Sequence, residues 1–296
     1  MTMKKVMLLG ASGQLGREVA FRYPEGVHLS TFPHSELDIC SEEDLARAIT
    51  ECEPDIIINT AAYTQVDKAE SEPEAAFAVN EEAVKHLSNL CGSDTRTVHL
   101  STDFVFSGHQ SSPYLPDDQP EPESVYGKSK LAGEQVLLEN RPGTSVVLRT
   151  SWLYGPETRN FLTVMLDLMN TRDELNVVDD QFGSPTSVET LAEITWALAL
   201  DVDARGIFHW SDRGVITWYD FALEIQQQAF DLKLLTARIP VNPIPTQAYP
   251  APATRPEYSA LDSSATEAIT GIRTLDWKEQ LAGVLARIKQ QESINE

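Results

Sequence analysis

Tyr126 and Lys130 lie four residues apart in "VYGKSKLAGE", residues 125–134. On a helix that spacing puts them on one face, whereas Lys128, two residues from Tyr126, points elsewhere. A phenol titrates near ~10 and is a poor acid or base at neutral pH. An ammonium ~4 Å away, at an effective dielectric of ~20, is worth about 4 kcal/mol. That is the size of effect needed to bring a phenol down to ~7 at ~1.36 kcal/mol per pH unit. The pair could then exchange a proton with a substrate oxygen. Taken alone, Y-x-x-x-K fits a packing aromatic beside an incidental surface lysine equally well. A second feature upstream weighs against that reading. "HLSTDFVFSG" ends an apolar strand with Ser101, Thr102 and Asp103, and ligands of open α/β sheets bind beyond the carboxyl ends of the strands. A hydroxyl at Thr102 can hold the oxygen that Tyr126 protonates, although Ser, Thr and Asp also favour plain turns.

Gly10, Gly13 and Gly16 follow the first apolar run at three-residue spacing and lead into a helical pattern. A glycine turn there lets a pyrophosphate approach backbone N–H groups at a helix N-terminus. The spacing is G-x-x-G-x-x-G and departs from G-x-G-x-x-G; steric demand in a tight turn is the alternative reason for the glycines. An acid about 20 residues on commonly holds the adenosine ribose. Asp38 has nearly that separation but lies beyond "VHLSTF", in "SELDICS", so an adenine-side contact and a loop or capping acid both remain open. No acid selects NAD and no strand-end arginine selects NADP, which leaves NADH or NADPH as the cofactor.

The elements that must position these residues alternate. "KKVMLL", "VHLSTF", "PDIIINTAA", "TRTVHLSTD" and "TSVVLRTSWLYG" read as strands, with helical patterns between them, including "SEEDLARAIT" capped by Ser41, "PEAAFAVNEEAVKHLSNLC", and residues 125–139. The predicted fold is α/β, a doubly wound parallel sheet of Rossmann type over residues 1–152, with later elements near 175–222 contributing and a smaller C-terminal lobe over 153–296. That lobe holds helical patterns in "NFLTVMLDLM", "SVETLAEITWALAL", "TWYDFALEIQQQAF" (capped by Thr217, with Asp220 in its first turn) and "DWKEQLAGVLARIKQQ", plus a strand in "GIFHWS". "PVNPIPTQAYPAPATRP" reads as too proline-rich for regular structure.

The 296-residue chain carries a net charge of −22, which disfavours nucleic acid and anionic membrane surfaces as partners. No apolar run approaches the ~20 residues of a membrane span, and the N-terminus reads as a first strand, not a signal peptide. Cys40, Cys52 and Cys91, an odd number without metal-ligand spacing, read as free thiols of a reducing cytoplasm. His28, His34, His86, His99, His109 and His209 show no ligand spacing and read as structural or surface residues. No metal site is evident.

The glycine turn, "NTAAYTQVDKAESEPEAAFAVN", "STDFVFSG", "YGKSKLAGE", "LRTSWLYG" and "RPEYSALD", in this order, resemble the extended short-chain dehydrogenase/reductases over nearly the whole chain, and within them the dTDP-4-dehydrorhamnose reductase family. The resemblance implies NAD(P)H-dependent reduction of the C4 ketone of dTDP-4-dehydro-L-rhamnose to dTDP-L-rhamnose, a precursor of cell-surface polysaccharide. It implies catalytic roles for Thr102, Tyr126 and Lys130, with Lys130 also holding the nicotinamide ribose. It places cofactor contacts on Gly10, Gly13, Gln14, Leu15, Gly16, Asp38, Ile39, Ala62, Tyr63 and Thr64, and substrate contacts on Thr102, Asp103, Trp152 and Arg255. Relatives are often homodimers, and Mg²⁺ is reported for some. Phe104 stands where the family often has tyrosine, and the segment after Gly108 is irregular. An epimerase or 4,6-dehydratase of the same superfamily is the nearest rival, but such dehydratases carry a glutamate after the aspartate, and here Phe104 follows Asp103. The rival of another class is a non-catalytic subunit similar to the regulatory subunit of methionine adenosyltransferase.

Overall fold

Isoleucine and valine runs, buried on both faces, form the centre of the molecule. The computed structural model describes residues 3–295. Its main sheet has six parallel strands: β1 (Lys4–Leu9), β2 (Val27–Phe32), β3 (Ile56–Asn59), β4 (Arg96–Thr102), β5 (Ser145–Thr150) and β6 (Gly206–Trp210). Their spatial order is β6-β5-β4-β3-β1-β2. The chain reverses direction across the sheet between β1 and β3, and a ligand crevice is expected at the carboxyl ends there.

Alternate residues of each strand feed two cores. Val6, Leu8, Ile56, Ile58, Val98 and Leu148 pack with Leu15 and Val19 of the Gln14–Phe21 helix and Leu191, Ile194 and Leu198 of the Val188–Leu200 helix. Met7, Leu9 and Ile57 face the other way, onto Leu45 of the Glu42–Cys52 helix and Leu87 of the Ala83–Leu90 helix. Ser41 caps its helix as expected, accepting from the Asp44 N–H at 3.2 Å. Thr217 and Asp220 make a reciprocal capping box at the start of the Trp218–Asp231 helix.

A separate core joins the helices Phe161–Thr171, Trp218–Asp231 and Trp277–Asn295 through Leu162, Leu166, Phe221, Ile225, Leu281 and Leu285. The proline-rich segment departs from its expected irregularity. Val241–Ile244 is a strand, parallel to Leu175–Val178. The bonds that flank this ladder run from Leu175 N–H to Pro240 O and from Asp179 N–H to Ile244 O, both at 3.0 Å, so Pro240 enters as an acceptor and needs no N–H there. Pro243 is the one proline inside the strand, on a two-stranded edge where proline is tolerated. No described helix is long and apolar enough to cross a membrane.

Candidate active site

A cleft of about 750 Å³ opens at the carboxyl ends of β1, β3, β4 and β5. Its lining includes Gly10, Gly13, Gln14, Leu15, Gly16, Asp38, Ile39, Ala62, Tyr63, Thr64, Thr102, Asp103, Tyr126, Lys130 and Trp152. Arg255 does not line it. Its guanidinium holds Asp67 in a two-pronged pair, at 2.8 and 3.0 Å, beside the loop that follows Thr64.

The three glycines play different parts. Gly10 has φ +76°, and a Cβ there would lie 2.6 Å from Ala61 N. A Cβ on Gly16 would lie 2.2 Å from Gly10 O, so both are demanded by the turn itself. Gly13 meets nothing nearer than 3.3 Å. It is the N-cap of the Gln14–Phe21 helix and supplies no side chain to cover the first N–H groups. These free donors, at the positive end of the helix dipole, fit a dinucleotide pyrophosphate. The Gln14 side chain reaches across the cleft mouth: Nε2 donates to Leu153 O at 3.1 Å, and Oε1 accepts from Thr158 Oγ1 at 2.7 Å and Asn160 Nδ2 at 2.8 Å. Asp38 is exposed at the β2 side of the cleft and accepts from Cys40 N–H at 3.0 Å. It is thus a local loop brace as well as a cleft residue.

The loop after β3 is fixed from an unexpected direction. The predicted long helix is interrupted by a π-helical segment, Ala78–Glu82, which turns Asn80 inward. Asn80 accepts from Tyr63 N–H at 2.9 Å and donates to Tyr63 O at 3.1 Å and to Ser129 Oγ at 2.9 Å. Ser129 Oγ in turn donates to Tyr126 O at 2.8 Å. One buried asparagine therefore ties the Ala62–Thr64 loop to the Val125–Asn140 helix that carries Tyr126 and Lys130. An asparagine amid a helical run is a local misfit, and that was its only signal in the sequence.

Tyr126 and Lys130 do share a face and both line the cleft. The expected effect of the lysine on the phenol is corrected by the structure. Burial pushes the Tyr126 hydroxyl up to about 12, Thr102 pulls it down somewhat, and the nearby Asp103 charge pushes it up. The Lys130 ammonium is directed into the sheet, donating to Leu100 O at 2.6 Å and meeting His99 Nε2 at 3.3 Å. Burial lowers Lys130 to about 8, with Glu134 opposing that fall. Desolvation, to which residue spacing is blind, dominates for both groups. His99, read from sequence as merely structural, is thus in contact with the candidate catalytic lysine. Phe104 packs edge-on against the Tyr126 ring, with centroids 5.6 Å apart.

Thr102 Oγ1 accepts from Phe104 N–H at 3.2 Å and donates to Asp103 Oδ1 at 3.1 Å. Asp103 Oδ2 is buried without a partner. Burial raises the Asp103 carboxyl to about 6, against hydrogen bonds that lower it. Because its folded pKa lies above the unfolded value near 4, stability is greatest while the group is protonated and is lost as pH rises through about 6. Asn mimics the protonated form. Asp103→Asn is therefore expected to gain on the wild type between pH ~4 and ~7, by about 2–3 kcal/mol at the plateau. Urea denaturation across that range measures the difference; a gap independent of pH would assign Asp103 an ordinary carboxyl.

On the far wall Trp152, at φ +46°, stacks on Trp218 with ring centroids 3.5 Å apart and planes 9° from parallel. Phe161 adds a third ring, 4.6 Å from Trp218. A Cβ on Gly183 would come within 2.6 Å of the Trp152 ring, so that glycine is what admits the indole. Trp152 is half-buried, packing on Trp218 and lining the cleft. Trp218, Phe161, Asn160 and the exposed Arg159 also line the cleft, and sequence reasoning missed them. Their segment folds back to the sheet only through tertiary packing. Among the described residues no group of three His, Cys, Asp or Glu side chains could hold a metal ion.

The family described as RmlD substrate binding domain matches residues 3–290. A dTDP-4-dehydrorhamnose reductase of Sinorhizobium fredii is 38% identical over 282 residues, 93% of this chain and 94% of that protein. The dTDP-4-dehydrorhamnose reductase of Escherichia coli (strain K12) is 38% identical over 285 residues, 92% and 94% of the two chains. The crystal structure of dTDP-4-dehydrorhamnose reductase from Bacillus anthracis in complex with NADP superposes with a TM-score of 0.90 at 32% identity, covering 96% of this chain and 99% of that one.

Proposed function

Because this chain belongs to the RmlD substrate binding domain family, together with dTDP-4-dehydrorhamnose reductases that match it end to end, we propose that it reduces the C4 ketone of dTDP-4-dehydro-L-rhamnose to give dTDP-L-rhamnose. It is an NAD(P)H-dependent oxidoreductase of the Rossmann type. The observation that carries the reading is the convergence of Thr102, Tyr126 and Lys130 on one cleft whose other end is an uncapped helix N-terminus behind Gly13.

When bound, the reduced nicotinamide supplies the hydride. The N–H groups that follow Gly13 would hold the pyrophosphate, Asp38 and Ile39 the adenosine end, and Lys130, with its ammonium turned from Leu100 O toward the cleft, the nicotinamide ribose. Thr102 orients the ketone oxygen. Tyr126 donates its proton to that oxygen as negative charge develops there. A phenol held near 12 is fully protonated at neutral pH, the form a donor needs. Its acceptor is a nascent alkoxide, a stronger base than a phenolate even at this raised value, so the transfer still runs downhill. Asp103, whose carboxyl already feels the Ser259 and Thr102 hydroxyls, accepts a hydrogen bond from a hydroxyl of the sugar through Oδ2. Trp152 and Trp218 give the sugar nucleotide an aromatic wall.

The test is the disappearance of nicotinamide absorbance when dTDP-4-dehydrorhamnose, generated in situ, is supplied with NADH and NADPH in separate assays, the product being identified as dTDP-L-rhamnose. Turnover of the sugar nucleotide without consumption of reduced cofactor would point instead to an epimerase. Arg159 and Lys130 are the lysine or arginine side chains that line the cleft. Arg159 is the one on the exposed side, and we assign it to the substrate diphosphate. Arg159→Ala is expected to raise KM for the sugar nucleotide about tenfold, the size of one charge-assisted hydrogen bond, with kcat nearly unchanged. An unchanged KM would remove Arg159 from the substrate site.

A further inference from the structure

Behind the cleft a row of polar side chains crosses the sheet under the Val125–Asn140 helix: Asn59 on β3, His99 on β4, Arg149 on β5 and His209 on β6, all buried. Asn59 and His99 are register partners, as are Arg149 and His209. Arg149 is committed to Glu134, at 2.6 Å, and His209 meets Arg149 at 3.4 Å. The Asn59–His99 half of the row ends on Lys130 and takes no part in the chemistry described above.

Burial and the neighbouring Lys130 charge hold His99 well below its ordinary value, so the ring is neutral and carries one proton. Asn59 decides where that proton sits. The Ala61 N–H donates to Asn59 Oδ1 at 3.1 Å, which fixes the orientation of the amide. The amide nitrogen Nδ2 therefore faces His99 Nδ1, at 3.1 Å. An amide nitrogen only donates, so Nδ1 accepts and the ring proton is on Nε2. That N–H points at Lys130 Nζ, 3.3 Å away. An amine can accept it through its lone pair; an ammonium has none.

We infer that His99 is a positioning residue for the reduction: Asn59 holds it as the Nε2–H tautomer, and its N–H, donated to Lys130 Nζ, favours the amine over the ammonium. The other charged and titratable groups around this lysine are Tyr126 and Glu134 on its own helix, Asp103 at the end of β4, and Arg149 with His209 behind Glu134. Glu134 and the Leu100 carbonyl, 2.6 Å from Nζ, favour the ammonium at close range; the Glu134 charge is largely spent on Arg149, and the carbonyl can equally accept from an amine. Lys130 thus becomes a group that changes charge near neutral pH rather than a permanent cation. The inference rests on Lys130 serving the proposed reaction, but its test does not depend on turnover.

Imidazole ¹⁵N shifts of the purified protein, without added nucleotide, report the His99 tautomer directly. The expected result is a protonated Nε2 and a bare Nδ1; a proton on Nδ1, or a charged ring, overturns the inference. Asn59→Asp supplies an acceptor in place of the amide donor. It should move the proton to Nδ1 and leave Nε2 to accept from the ammonium. The Lys130 dissociation constant, followed by NMR titration of the lysine side chain, should then fall at least tenfold. The same change made in a His99→Gln background measures the effect of the new carboxylate charge alone. A smaller fall there supports the role of His99, and an equal fall overturns it. In active protein, the alkaline limb of the kcat/KM profile should move up by about one pH unit in Asn59→Asp. Wild-type protein with the expected tautomer but no reductase activity would sink the proposed function and leave the hydrogen-bond assignment intact.

Discussion

Tyr126→Phe is expected to bind NADH or NADPH as the wild type does and to lose about 10³-fold in kcat, within the range measured for removal of a general acid. The substitution deletes one oxygen. The ring keeps its edge-on contact with Phe104, and the helix keeps its Ser124 cap, which accepts from Gly127 N–H at 3.1 Å. Thr102 remains to hold the ketone oxygen, so residual turnover should persist with water as a poor donor. Cofactor affinity by fluorescence titration and turnover by absorbance separate the two effects. Turnover within tenfold of the wild type would show that the proton comes from elsewhere, and Asp103, held near 6 by burial, would be the next group to test.

Glu134→Ala should cost about 3–5 kcal/mol of stability, the usual penalty for stranding one partner of a buried ion pair. Glu134 and Arg149 are each about 1% exposed. Their carboxylate and guanidinium meet through bonds of 2.9, 3.2 and 2.6 Å, and the guanidinium also lies over the Phe106 ring, 5.1 Å from its centroid. Deleting the acid leaves a cation that is about 1% exposed without its carboxylate. Replacing both residues with leucine should recover most of the loss, because no charge is then left buried. Urea denaturation of the single and double variants tests this. A single-variant loss under 1 kcal/mol would mean that solvent reaches Arg149.

The parallel sheet was legible because its signals are local. "VHLSTF" becomes Val27–Phe32 unchanged, and Ser41 and Thr217 cap the helices they precede. The crevice was legible for a related reason: once strands and helices alternate, residues just past the strand ends must converge. Features that depend on a partner distant in sequence were not legible. The proline segment is a strand because Leu175–Val178, more than sixty residues earlier, pairs with it. Trp218 reaches Trp152 only because Gly183 leaves room for the indole. The direction taken by the Lys130 side chain depends on what β4 places beneath it, namely Leu100 O and His99. Spacing alone indicated that Tyr126 and Lys130 share a face and a cleft, but not their electrostatics, since burial is a property of the packed molecule.

The Gln14 side chain belongs to the helix that begins behind the glycine turn, yet its amide is anchored on Leu153, Thr158 and Asn160. The glycine turn and the loop that carries Arg159 are therefore pinned together by one residue. Movement at the glycine turn is thus transmitted by a single amide to the segment that carries Asn160 and Arg159, two more residues of the same cleft.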